Sequence, residues 1–461
     1  MRDLKPASYF SPATALAVVV ANMIGTGVFT SLGFQLVTLQ SGFALIMLWV
    51  VGGIIAICGA LSYAELGATL PRSGGEYNFL GQIYHPSAGF ISGWISSTIG
   101  FSAPVALAAM TFGAYTVSSI MPDDGNAQTA WAERGLAVGL IIALTVVHTR
   151  RRETSGRFQA IFTLIKVAAI VILSVAGLSL VSDYQPVTLL PVSGDVTALT
   201  SSAFAVSLIY VNYAYTGWNV ATYLTEELET PQISLPKVLF TGAFGVMLLY
   251  ILLNAVFLLT TPMDLMAGEV EVGVIAARYV FGETGALFTG LVLGTLLIST
   301  VSAMTIAGPR VLQVVGQDIP VFGFLARETE DGMPTTAVLA QSGIALLFVL
   351  TATFDQVLVF AGFTLALNSL LAVAGLFVLR IRNPELERPF RVPLFPWVPL
   401  VFLSLTAWTL IYVMIERPVE VLFSAGLIAC GALIYILSNS QKHRRPGAEP
   451  QSESARPKEP E

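Results

Sequence analysis

A chain of 461 residues that is 55% hydrophobic and only 11% charged, with a mean hydropathy of +0.75, cannot present an ordinary water-facing surface and needs lipid as solvent. The formal charge of −6 comes largely from loops and an acidic tail, and no basic cluster is interleaved with aromatics, which excludes nucleic acid as a partner. Cys58 and Cys430 lie far apart inside apolar runs, so a disulfide framework has no support.

Arg2 and Lys5 precede the first apolar run, which is interrupted by glycines and lacks a small-residue cleavage site. It reads as a retained first span and not as a signal peptide. Runs of about 20 apolar residues, enough to cross roughly 30 Å of hydrocarbon, predict spans over 12–36, 42–69, 86–119, 134–149 and 157–181. Further spans fall over 200–226, 236–260, 283–308, 335–352, 355–379, 393–414 and 419–437, for an all-α bundle of about twelve membrane helices. Basic residues alternate between loops: Arg72, Arg150 to Arg152 with Arg157, Lys237, Arg310 with Arg327, and Arg380 to Arg391 share the side of Arg2 and Lys5. The opposite loops offer Arg134, Arg278 and Arg417. Positively charged short loops stay cytoplasmic, so both termini (1–11 and 438–461) are expected inside an inner cell membrane. The charged tail, rich in Pro and Ser, is expected to be disordered.

The first span holds Met23-Ile24-Gly25-Thr26-Gly27-Val28-Phe29, where each glycine weakens a helix by about 1 kcal/mol relative to alanine. The sixth holds Tyr213-Ala214-Tyr215-Thr216-Gly217-Trp218-Asn219, again a glycine among polar groups in an apolar window. Small residues also let membrane helices pack closely. Interruptions at corresponding places of two halves, however, point to a transporter site, because unwound backbone is tolerated in lipid only where it lines a cavity. An offset of five spans is odd, so the two halves, 12–181 and 200–379, would be inverted repeats, with 393–437 outside them. The N–H groups of Thr26 and Gly27, at a half-helix N-terminus, suit a carboxylate. Freed carbonyls at Met23, Tyr213 and Thr216 suit an ammonium. Such a pair of poles matches a zwitterion.

These residues resemble the amino acid, polyamine and organocation permeases, which share the leucine-transporter fold of five-plus-five inverted helices with broken helices 1 and 6. The resemblance spans nearly the whole chain. It rests on IGTGVF, ELGATLPRSGGEYNFL, YAYTGWNVATYLTEELETPQISLPK and NPELERPFRVPLFPW, and YAYTGWN with TEELETP is most similar to the L-type branch and the bacterial alanine, serine and cysteine exchangers. The resemblance implies carboxylate binding at Thr26 and Gly27, amine binding at Met23, Tyr213 and Thr216, and Asn219 beside the substrate, with Gly25 and Gly217 of the two breaks also in the substrate site. It also implies a gating aromatic at Tyr213, usually a phenylalanine, with Trp218 next to it.

Lys166 sits in the fifth span, some 14 Å of helix rise beyond Arg157, where a charge costs about 2.5 to 3.5 kcal/mol. In the resembling family a lysine at this place stands where sodium-coupled relatives hold sodium, touching the broken first helix and the eighth. Gly25 and one of Ser299 or Ser302 are its candidate contacts. A fixed ammonium makes transport sodium-independent; an ammonium that releases its proton couples transport to a proton gradient.

His85, His148 and His443 fall in or beside cytoplasmic loops as solvated residues, so neither a metal site nor a histidine relay is expected. Glu65, Glu226 and Glu227 stand at cytoplasmic span ends, within reach of loop arginines such as Arg72. Ser96, Ser97, Ser102, Thr300 and Asn368 are further polar residues on a possible path. No nucleophile with a base stands at membrane depth, so an enzyme is not expected, and no cofactor is implied. A channel or receptor is the alternative of another class. Among carriers, the lack of an acid in the middle of the first, third, sixth, eighth or tenth span favours neutral substrates over cationic amino acids or polyamines. A heavy-chain partner, known in animal relatives, has no diagnostic cysteine here and is not expected.

Overall fold

Ser11 starts the first helix: its hydroxyl accepts from the Thr14 N–H, and Pro12 takes the first helical position, where a missing N–H is tolerated. The computed structural model describes residues 11–121, 127–150, 156–228, 230–318, 322–329 and 334–443. The expectations for the N-terminal residues 1–10, Arg151, Arg152 and the tail from 444, and for the side chains of Glu226 and Glu227, lie outside what is described.

The first span is two helices, α1 (Pro12–Met23) and α2 (Gly27–Leu36), followed by α3 (Gly42–Thr69) and a short α4 (Glu76–Ile83). The third span is also divided, into α5 (Pro86–Ile95), a π-helical turn over Ser96–Gly100 and α6 (Ser102–Ile120). Then come α7 (Ala127–Arg150), α8 (Gly156–Leu180) and the one-turn α9 (Asp195–Leu199). The sixth span is α10 (Ser202–Ala214) plus a 3-10 segment over Val220–Glu227, and α11 (Pro231–Thr260) and α12 (Met263–Met266) follow. The remainder is α13 (Val272–Asp318), α14 (Thr335–Thr351), α15 (Phe354–Arg382), α16 (Trp397–Glu416) and α17 (Pro418–His443). The regular elements of the described residues are all helices.

Ten helical stretches are long and apolar enough to cross a bilayer, and Ser202–Ala214 and Thr335–Thr351 are shorter apolar helices, which matches the twelve predicted windows. Leu164 and Phe288 are each 70% exposed; apolar side chains left bare on this scale face lipid. Several ends differ from expectation. The fourth span begins at Ala127 and not at 134, and the eighth runs on to Asp318, because helices continue past the apolar window that lipid requires. Pro236 lies inside α11, which starts five residues earlier on Pro231. The last helix runs to His443 and takes in the first six residues of the predicted tail.

At the Arg72 side of the bundle, Glu65 on α3 is 1% exposed. It is held by Arg380, through Nε at 2.8 Å and Nη2 at 2.6 Å, and by the Val392 N–H at 2.6 Å, with Arg388 Nε at 3.7 Å. The expected contact with Arg72 is therefore replaced by one with α15 and the 383–396 connection, and Arg380 also lies 3.7 Å over the Phe395 ring. At the other side Phe34 stacks between Tyr210 and Phe354, with ring centroids 5.6 Å from each. Tyr210 donates to Asp355 at 2.5 Å, and Arg417 bridges to Asp355 at 2.9 Å.

Removing one partner of a buried ion pair strands the other charge, at about 3–5 kcal/mol. Glu65→Ala is expected to lower the melting temperature of the purified protein strongly, whereas Glu283→Ala, whose carboxylate is 80% exposed beside Arg278, should leave it within about a degree or two. Equal melting temperatures for the two variants would refute the role given to Glu65.

Candidate functional site

The break in the first span has a defined geometry. Ile24 (φ −75°, ψ 83°) centres an inverse γ-turn in which the Gly25 N–H donates to the Met23 carbonyl at 2.8 Å. The N–H groups of Thr26 and Gly27 have no backbone acceptor among the described residues, so α2 begins with bare donors, as an anion site at a helix N-terminus requires. In the sixth span Gly217 has φ 100°, a backbone region that a side chain rarely enters. A Cβ there would lie 2.8 Å from the main chain of Asn22, and one on Gly27 would lie 2.5 Å from the Cα of Ala214. These two glycines hold the interruptions against each other. Gly25 differs: a Cβ there would meet nothing within 4 Å.

The breaks line one cavity of about 600 Å³. Met23, Gly25, Thr26, Gly27, Tyr213, Thr216, Gly217, Trp218 and Asn219 all belong to its wall, as do Ser96, Thr300 and Asn368. It reaches Arg72 and Tyr77 at one end. Tyr213 belongs to the apolar cluster that contains Tyr210 and Phe354, and Trp218 packs edge-on to Tyr63 at 4.7 Å.

Two of the three carbonyls expected to be free are engaged. Met23 accepts from Gly25 and from the Tyr250 hydroxyl at 2.6 Å, and Tyr213 accepts from the N–H of Thr216 at 3.0 Å and from its hydroxyl at 2.6 Å. A carbonyl has two lone pairs, and both are used. The carbonyls of Gly25 and Thr216 have no partner among the described residues. The role of Tyr250, on α11 and 0% exposed, is invisible from sequence, where it is one more aromatic in an apolar run.

Lys166, 4% exposed, donates to the Ile24 carbonyl at 3.1 Å and to the Thr300 hydroxyl at 2.9 Å. The first helix and α13 are its neighbours as expected, but the contacts are Ile24 and Thr300 and not Gly25, Ser299 or Ser302. Ser302 lies two residues beyond Thr300, about 200° around the helix, and its hydroxyl is 2.9 Å from Nε2 of His148. His148 is thus a buried partner of α13, 8% exposed, and not a solvated loop histidine. No described carboxylate pairs with Lys166.

Glu76, at the start of α4, has no role that the GGEY motif reveals, yet it is 2% exposed and lines the cavity. Tyr63 donates to it at 2.9 Å and Asn219 at 2.6 Å, and Tyr223 donates to its other oxygen. Asn219 therefore spends its amide on Glu76. A glycine-rich loop ahead of the acid, with Gly74 at φ 124° and Gly75 at φ 53°, was the available signal.

Residues 10–438 match the amino acid permease family. The chain belongs to that family. Among curated relatives, this permease is 30% identical to the mouse large neutral amino acids transporter small subunit 2, over 94% of this chain and 81% of the relative. It is 28% identical to the mouse Asc-type amino acid transporter 1, over 92% and 80%, and 26% identical to the mouse b(0,+)-type amino acid transporter 1, over 92% and 86%. Family and apolar helices together make the permease a multi-pass membrane transport protein and not an enzyme.

The glycines separate fold from binding. Gly217→Ala strains a positive-φ position by about 1–2 kcal/mol and presses on Asn22, so it should cost melting temperature. Gly25→Ala meets only empty cavity, so the permease should melt within about two degrees of the parent while amino acid binding weakens at least about tenfold. Normal binding by Gly25→Ala would remove Gly25 from the site.

Proposed function

We propose that this permease carries neutral L-amino acids across a cell membrane by alternating access, independently of sodium, as an exchanger or a proton-coupled symporter. The observation that carries this reading is the set of unengaged main-chain groups on one cavity wall: the N–H donors of Thr26 and Gly27 for a carboxylate, and the carbonyls of Gly25 and Thr216 for an amine. Two relatives named for neutral or Asc-type amino acid transport support the substrate class. Glu76 is the acid on the cavity wall that would counter a cationic side chain, but three donors already occupy its carboxylate, which favours neutral substrates over cationic amino acids or polyamines.

Breaks five spans apart support two inverted five-helix units, 12–181 and 200–379, with 393–437 outside them. With the arginine-rich loops and both termini cytoplasmic, the cavity faces inward, and Phe34, Tyr210 and Phe354 close the outer end above the Tyr213 gate. Trp218 lines the inner route. Lys166, with two neutral partners and no carboxylate partner among the described residues, acts in place of a bound metal cation. The relative called a small subunit is named as one chain of an assembly; for this permease, with Cys58 buried in α3 and Cys430 exposed within the apolar run of α17 and not in a loop, we propose transport without a heavy chain.

Vesicles containing the purified chain alone test this. Labelled alanine should enter against internal alanine without sodium, and Lys166→Ala should slow entry at least about tenfold, as loss of a buried, hydrogen-bonded charge implies. A sodium requirement, a need for a second chain, or normal transport by Lys166→Ala would each overturn the corresponding claim. Accumulation driven by an imposed pH gradient with no internal substrate would decide for symport over exchange.

A further inference from the structure

A tyrosine hydroxyl buried in an apolar helix bundle nearly always finds a partner. Of the six buried tyrosines among the described residues, five do so within the protein. Tyr63 donates to Glu76, Tyr115 to the Phe29 carbonyl, Tyr210 to Asp355, Tyr215 to the Trp49 carbonyl and Tyr250 to the Met23 carbonyl. The sixth is Tyr213, 5% exposed, whose hydroxyl has no hydrogen-bond partner among the described residues. The hydroxyls of Ser92, Ser102, Thr406 and Thr409 are unpaired as well, but they are sealed inside the protein, out of reach of a water molecule. The Tyr213 hydroxyl is unpaired and not sealed, and the open space beside the residue is the cavity that it lines. A polar group left without a protein partner and open to a cavity is available to whatever the cavity holds.

The backbone fixes where this hydroxyl acts. Tyr213 stands in the last turn of α10, beside Ala214, whose Cα would lie 2.5 Å from a Cβ on Gly27. It is therefore rooted where the sixth span presses on the start of α2 and its bare donors. Its carbonyl is turned to the N–H and hydroxyl of Thr216, so the phenol is the polar group that the residue has left to offer. The ring belongs to the apolar cluster of Ile99, Ala103, Ile209 and Phe363. The family resemblance accounts for a ring at position 213, usually that of phenylalanine; it does not account for the oxygen.

We propose that the Tyr213 hydroxyl is a specificity-determining contact for the substrate side chain, favouring neutral amino acids that carry a hydroxyl or a carboxamide. The proposal rests on the amino acid site described above, whose open main-chain groups already take the carboxylate and the amine, and it specifies the substrate class. A phenol both donates and accepts, so it pairs with a substrate hydroxyl or with either end of a carboxamide. An aliphatic side chain filling the same space displaces water from the phenol and leaves it unpaired, which costs the desolvation of that group with no bond in return. A pocket that bonds a substrate hydroxyl discriminates against the analogue that lacks it.

Threonine and valine provide the test, since they differ by one hydroxyl for one methyl. Competition against labelled alanine uptake should show threonine acting at least about tenfold more strongly than valine. Tyr213→Phe keeps the ring and removes the oxygen, and it should bring that ratio to about one, whatever the variant's absolute rate. Thermal stabilisation of the wild-type protein by the two amino acids gives the ratio without any variant. A wild-type ratio near one, as expected if the hydroxyl holds only water, overturns the assignment. A ratio unchanged in Tyr213→Phe does so too, including the case in which threonine and valine weaken equally, as they would if the phenol bonded the carboxylate. If alanine, threonine and valine all fail to bind, the amino acid reading falls and the assignment with it; if all three bind alike, only the assignment of Tyr213 does.

Discussion

Hydrocarbon offers no hydrogen bonds, so every main-chain group released from a membrane helix has to be met by something else. The two interrupted spans show this accounting in detail. The Met23 carbonyl goes to Gly25 and Tyr250, that of Ile24 to Lys166, and that of Tyr213 to Thr216. Tyr250 also reaches the Ala214 carbonyl at 3.1 Å, so one phenol on α11 serves both breaks. After these claims, the donors of Thr26 and Gly27 and the carbonyls of Gly25 and Thr216 are left, and all four residues line the cavity. The protein thus leaves open the groups that a zwitterion can satisfy and closes the others with its own side chains.

The same breaks are mechanically joined. Gly27 lets the start of α2 press on the end of α10, and Gly217 lets the turn after α10 press on the end of α1. Each interruption buttresses the other, with Tyr250 tying both to α11. Lys166 and Thr300 then link the first break to α8 and α13, while Asn219, Tyr223 and Tyr63 link the second to Glu76 and α3. A displacement of either break is carried to four other helices through hydrogen bonds and not through loose apolar contact.

The architecture could be read from the chain because lipid imposes a length and a polarity on each span, and glycine pairs mark where helices yield. Twelve windows and breaks at 25–27 and 217 follow from such local signals, whereas the first and eighth helices as neighbours of Lys166 follow from the family resemblance and the contacting residues, Ile24 and Thr300, from neither. What was missed depends on rotation about a helix axis and on side-chain reach. Ser299, Thr300 and Ser302 are equivalent as composition, but only Thr300 presents its hydroxyl to Lys166. Tyr250 meets the first break at Met23 and Glu76 meets the second at Asn219 and Tyr223, contacts more than 140 residues apart along the chain, and Glu65 passes over nearby Arg72 for Arg380, beyond any spacing rule. His148 stands at the last turn of the fourth span, where composition alone suggests a solvated end residue, and only the rotation of the helix turns it toward Ser302 of α13.

Arg417 sits between the two final helices yet binds Asp355 and the Tyr210 hydroxyl, at the aromatic stack proposed above to close the outer end of the cavity. Helices peripheral to the substrate path therefore own a latch on it. An antibody fragment or cyclic peptide raised against that short connection would gain leverage over the resting conformation of the carrier without ever competing for its cargo.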